Sequence, residues 1–83
     1  MLISRADFTY TIIDNVLRII DEDKGNMSVT NDMRNVLTDI ERIVGSLSGM
    51  RIIYRDSDSH WDEVFGWPVS IQFKPITDGL RVE

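Results

Sequence analysis

The sequence predicts an α+β protein: an antiparallel helical hairpin packed on a small antiparallel β-hairpin or three-stranded sheet, in the order α-α-β-β with an optional final β. Three observations predict it. Apolar residues from Phe8 to Leu17 and Ile20 gather on one side when stepped at 100° per residue. A second, narrower helical stripe runs from Met33 to Leu47, and after Gly49 the period drops to two. Eighty-three residues make one domain, 1–83, and a chain this short buries only about 60 to 65% of its unfolded surface.

The first helix is expected from about Arg5 to Asp23. Ser4 is placed as its N-cap, with Asp7 three residues later to complete a capping box. Phe8, Ile12, Ile13, Val16, Leu17, Ile19 and Ile20 fill nearly half its circumference, wider than one neighbour covers. A second cover is therefore expected, either the sheet of the same chain or another subunit, and Phe8, Ile12, Ile13, Val16, Leu17 and Ile20 are the candidate contacts of a homo-oligomer. With no cysteine in the chain, disulfides are excluded as a staple, and association with a second subunit is the staple left. The helix ends at Asp21-Glu22-Asp23, an acidic patch that opposes the dipole of a last turn.

The second helix is expected to start at Ser28 or Thr30 and to reach about Leu47, with Met33, Val36, Leu37, Ile40, Ile43, Val44 and Leu47 on its apolar stripe. Then Met50, Ile52 and Tyr54 alternate with Arg51, Ile53 and Arg55, giving a strand with one apolar and one mostly basic face. Val69, Ile71 and Phe73 alternate with Ser70, Gln72 and Lys74 as a second strand. Trp61 to Pro68 is open between a hairpin extension and a bend, because Gly66 and Pro68 interrupt it. Asp78-Gly79 marks a turn that could pair Ile76-Thr77 with Leu80-Arg81-Val82.

Chemistry concentrates between Arg51 and Val64. Asp56, Asp58, His60, Asp62 and Glu63 are oxygen or imidazole donors, but a calcium loop needs glycine at its sixth position and a bidentate glutamate at its twelfth, where this chain has Trp61 and Trp67. No metal is assigned to them. His60 is the sole histidine, and no nucleophile elbow, HExxH pair or phosphate-cradling glycine loop accompanies it, so no catalytic residue and no cofactor are assigned. Tyr54, Trp61, Phe65 and Trp67 add aromatic surface of the kind enriched at binding hot spots, with Trp67 expected in the core and Trp61 outside. Arg51, Arg55 and Lys74 could form a basic patch on the outer sheet face beside Tyr54 and Trp61, with cross-strand ion pairs as the plainer reading.

The net charge of -5, from 14 acidic and nine basic residues, argues against direct nucleic-acid binding and favours a protein partner with a basic surface. No basic, then apolar, leader opens the chain, and no apolar run approaches the roughly 20 residues that span a bilayer, so a soluble cytoplasmic protein is expected.

Thr30-Asn31-Asp32 opening a helix, then Tyr54-Arg55-Asp56-Ser57 and Trp61-Asp62-Glu63, resembles small accessory proteins of bacteriophages and mobile elements. That resemblance implies action by binding, with inhibition of a host or defence protein as the expected outcome. The functional expectation is thus a small acidic interaction module using Tyr54, Asp56, Asp58, His60, Trp61, Asp62 and Glu63 as partner contacts. Two alternatives accompany it: a metal- or nucleotide-binding protein or enzyme using the Asp56–Glu63 loop, and a homo-oligomeric assembly subunit.

Overall fold

A computed structural model describes residues 2–5, 8–21, 30–55 and 61–76. It overturns the helical hairpin. The chain forms a six-stranded mixed sheet with one described helix, in sequence order β1 (Leu2–Arg5), β2 (Phe8–Ile13), β3 (Val16–Asp21), α1 (Thr30–Val44), β4 (Arg51–Arg55), β5 (Trp61–Phe65) and β6 (Gln72–Pro75). Strand order across the sheet equals chain order, so two antiparallel three-stranded meanders meet at a central pair. That pair, β3 with β4, is the only parallel one among the described residues, and α1 lies in the crossover that parallel neighbours require.

The expected first helix is instead a β-hairpin, β2-turn-β3. Phe8-Thr9-Tyr10-Thr11-Ile12-Ile13 is built of aromatic and β-branched residues, which favour strands. Asp14 and Asn15 both take positive φ, 52° and 65°, as the two central residues of a type I′ hairpin turn must. Their preference for that region makes the reversal cheap, whereas a helix would need both at negative φ. Asn15 then ties the hairpin to the second half of the chain: its carbonyl accepts from the Arg51 amide at 3.1 Å, and its side-chain amide donates to the Gly49 carbonyl at 3.0 Å.

The second expected helix is α1, and its stripe faces the sheet: Met33, Val36, Leu37 and Ile40 are buried and Val44 packs at the edge, while Ile43 is exposed. It stops at Gly45, whose φ of 92° and amide bond to the Glu41 carbonyl, 2.9 Å, make an αL cap. Leu47 is buried beyond the helix, where its amide donates to the Glu41 carboxylate at 3.0 Å.

The core lies between α1 and one face of the sheet. Tyr10, Leu17, Ile19, Ile52, Tyr54 and Val64 supply the sheet side, with Phe8, Ile12 and Phe73 at its margins. The alternation expected for β4 holds, with Ile52 and Tyr54 inside. The last strand starts later than expected: Ile71 is buried, but Val69 is 83% exposed in a turn where its amide and that of Ser70 donate to the Gly66 carbonyl. The pairing expected for Leu80-Arg81-Val82 falls outside the described residues. No helix among them is long and apolar enough to cross a membrane.

Candidate functional site

Helix α1 covers one face of the sheet, and the other face carries the unusual chemistry. Strand alternation sends Arg18, Arg51, Ile53, Arg55, Trp61, Glu63, Phe65 and Lys74 there, two residues apart on their strands. Register sets them in rungs: Arg18 is level with Ile53, Ile53 with Glu63 and Glu63 with Lys74, while Ile20, Arg55 and Trp61 form the next rung.

Ile53 is fully buried on this face, although no helix or second sheet lies over it among the described residues. Long side chains share the face with it. Arg18 reaches from β3 across β4, so that its guanidinium carbon lies 5.5 Å from the centre of the Trp61 ring on β5. Arg55, beside Trp61 in the register, puts its own guanidinium carbon at the same distance. A guanidinium over an indole ring is attracted by the ring's quadrupole, by about 0.5–1 kcal/mol in a partly exposed setting, and the arginine stems add apolar cover.

Arg51 and Glu63, one strand apart, form a bidentate pair in which Nε donates at 2.8 Å to one carboxylate oxygen and a terminal nitrogen at 2.7 Å to the other. Toward the β6 edge, Lys74 sits 5.0 Å from the Phe65 ring centre. Arg18 and Arg55 differ from Arg51 in one respect: the Nε of each is buried without a hydrogen-bond partner. A buried N–H without a partner costs about 1–3 kcal/mol. The face therefore holds two guanidinium donors whose capacity the chain itself leaves unused.

Of the residues expected to contact a partner, Trp61 and Glu63 lie on this face, and Trp61 is half-buried. Asp62 points the other way in strand alternation and pairs in register with Tyr54. Tyr54 itself is buried in the core, where its hydroxyl donates at 2.9 Å to the Asp21 carboxylate. Asp56, Asp58 and His60 lie outside the described residues. Asp21 is 2% exposed at the end of β3, so it belongs to the core rather than to a surface acidic patch. Glu22 and Asp23 are outside the described residues.

The apolar residues expected to form an oligomer contact are divided by the hairpin. Phe8, Ile12 and Leu17 pack into the chain's own core, and Ile13, Val16 and Ile20 fall on the open face, Ile13 being 55% exposed. The single helical stripe on which that expectation rested does not form. Trp67 packs against the core, as expected, and also lines a cavity of about 320 Å³ with Glu41, Leu47, Met50, Ile52 and Pro68. Its one carboxylate, Glu41, is already engaged by the Leu47 amide. No group of three or more metal-ligating side chains occurs among the described residues.

Arg51, Arg55 and Lys74 are on the outer face where the sequence placed them, but Arg18 was not foreseen. Its signal was the aromatic and β-branched run before it and the Asp14-Asn15 pair that reverses the chain. Comparison with known proteins gives no match: no family model, no curated protein and no solved structure is significantly similar to the chain.

Proposed function

We propose that the chain is a small protein-interaction module that binds another protein through the open face of its sheet and blocks or modulates it, as the resemblance to phage-type accessory proteins implies. The observation that carries this reading is the arrangement of Arg18 and Arg55 over Trp61, with a buried, unpartnered Nε on each arginine. Tryptophan and arginine are the side chains most enriched at binding hot spots, and they act when well packed and desolvated on docking. Here packing exists before any partner arrives, because both guanidiniums and the indole already hold one another in place over Ile53. A preorganised surface loses less side-chain entropy on binding. The half-buried Trp61 and Glu63 belong to the same face, and Asp62 lies beside them on the same strand.

The test is affinity capture from the native host with three forms of the immobilised chain: unaltered, Arg55→Glu, and Asn35→Lys. Asn35 is exposed on α1, on the opposite side of the sheet. A protein retained by the unaltered and Asn35→Lys forms and lost from Arg55→Glu supports the reading. Retention by all three moves the contact elsewhere on the molecule.

A further inference from the structure

We propose that the open face recognises carboxylates, so that its occupant, in place of the basic surface that net charge alone favours, is an acidic segment of the partner protein, an extended run of aspartate and glutamate laid across β3, β4 and β5. This rests on the reading of that face as the binding surface and adds its ligand chemistry. The chain itself contains the pattern for it. On the same face, Glu63 meets Arg51 through two parallel bonds of 2.8 and 2.7 Å, the fork geometry by which guanidinium reads carboxylate. Arg18 and Arg55 flank that pair on the same face with no carboxylate opposite either among the described residues, and their buried Nε atoms have no partner. A carboxylate that draws either guanidinium up from the indole pairs with Nε and a terminal nitrogen together. That movement would relieve the buried, unsatisfied Nε of that arginine and uncover one face of Trp61 for the apolar stem of a glutamate.

Charge and dimensions favour a short acidic peptide over a nucleic acid. The face holds Arg18, Arg51, Arg55 and Lys74 against the single carboxylate Glu63 among the side chains named above, within a chain of net charge -5, so the rest of the molecule is more acidic than the total. A long polyanion would extend past the cationic patch onto that acidic remainder, and the counterion release that drives nucleic-acid affinity would be small. Strands lie about 4.8 Å apart, so the distance from β3 to β5 is about 10 Å, which an extended peptide crosses in about three residues.

The experiment uses the full chain with Trp67→Phe, leaving Trp61 as the only tryptophan, and follows its emission while titrating four probes. They are a capped octapeptide of alternating glutamate and serine, the same peptide with glutamine for glutamate, a ten-nucleotide oligothymidylate, and inorganic phosphate. Calorimetry on the unaltered chain repeats each titration, so that no conclusion depends on the Trp67 substitution. The glutamate peptide is expected to bind, with affinity falling about tenfold in Arg55→Gln and in Arg18→Gln, and about fivefold or more when salt is raised from 50 to 300 mM. Arg18→Lys, which keeps the charge and loses the fork, should recover only part of the loss. Arg42→Gln, on the exposed side of α1, should change nothing.

Equal binding of the glutamine peptide overturns the carboxylate assignment, as does failure of the glutamate peptide to bind at millimolar concentration. Tighter binding of oligothymidylate than of the glutamate peptide overturns it in favour of nucleic acid, and binding of phosphate alone in favour of a phosphate ligand. A captured partner that depends on Arg55 while the glutamate peptide fails leaves the open face as the contact and removes only its acidic occupant. Capture indifferent to Arg55→Glu removes both.

Discussion

At the scale of single residues, Ile53 is the buried apolar centre of the open face. An isoleucine in the middle of a sheet's solvent side is normally half wet, yet this one is fully buried, with Arg18 level with it on β3 and 5.5 Å from the Trp61 ring centre. The same side chains would therefore serve both stability and the recognition proposed above, which makes the two separable only by choice of substitution. Ile53→Ala removes buried carbon without touching the guanidiniums and should destabilise the chain by about 2–3 kcal/mol, the low end for buried isoleucine, since the arginine stems can settle into the gap. Arg18→Ala strips the cover instead and should cost about 1 kcal/mol, more than an ordinary surface change. Urea unfolding followed by far-ultraviolet dichroism checks both. A midpoint unmoved by Arg18→Ala would mean that its stem shields nothing.

At the scale of elements, the β2-β3 hairpin decides the architecture through its turn. Asn15 stands at φ 65°, where a side chain without local hydrogen bonding costs about 1–2 kcal/mol, and it bridges to Gly49 and Arg51 as well. Asn15→Ala should thus destabilise by about 2 kcal/mol or more, whereas Asp14→Gly, which suits the positive φ, should leave the urea midpoint within a few tenths of a kcal/mol of its value or raise it. Equal effects of the two would contradict the turn assignment.

The same hairpin shows where the sequence was legible and where it was not. In α1, Met33, Val36, Leu37 and Ile40 keep a single 3.6-residue period over the whole element, so both its existence and its buried side could be read. In β4, Ile52 and Tyr54 against Arg51, Ile53 and Arg55 keep a period of two, and the basic outer face followed directly. From Phe8 to Asp21 no one period survives. Phe8, Tyr10 and Ile12 face the core from even positions, and after the two-residue turn Leu17 and Ile19 do so from odd ones. Together with Ile13, Val16 and Ile20 on the other side, those residues spread over a wide arc on a helical projection and imitate an amphipathic helix with an over-broad apolar face. That breadth was the anomaly, and two faces of a strand pair produce it. Arg18 was lost to the site for the same reason, since a residue on the polar side of a helix has no route to Trp61.

At the scale of the whole molecule, the question is whether the two meanders are independent units joined by a helix or halves of one cooperative structure. Three features make them one. The central pairing of β3 with β4 is a full ladder of five residue pairs, from Val16 with Arg51 to Ile20 with Arg55. The core is composed from both halves, Tyr10, Leu17 and Ile19 from the first and Ile52, Tyr54 and Val64 from the second, under a single α1. The buried hydrogen bond from the Tyr54 hydroxyl to Asp21 and the Arg18 contact with Trp61 cross the same boundary on opposite faces of the sheet. Separating the halves would leave each a three-stranded sheet with an exposed strand edge, and would leave the first without α1 over its apolar face and the second with α1 only partly covered by strands, states that are marginal in water. Fragments 1–29 and 30–83 should therefore each lack native dichroism alone, and equimolar mixing should restore it. In the full-length chain carrying Trp67→Phe, Trp61 emission and far-ultraviolet dichroism should report one coincident urea transition. A folded 30–83 fragment, or two separated transitions, would show instead that the second meander and α1 form an autonomous unit; the open face would then lose Arg18 without losing its scaffold, and any recognition by Arg55 and Trp61 should survive in that fragment.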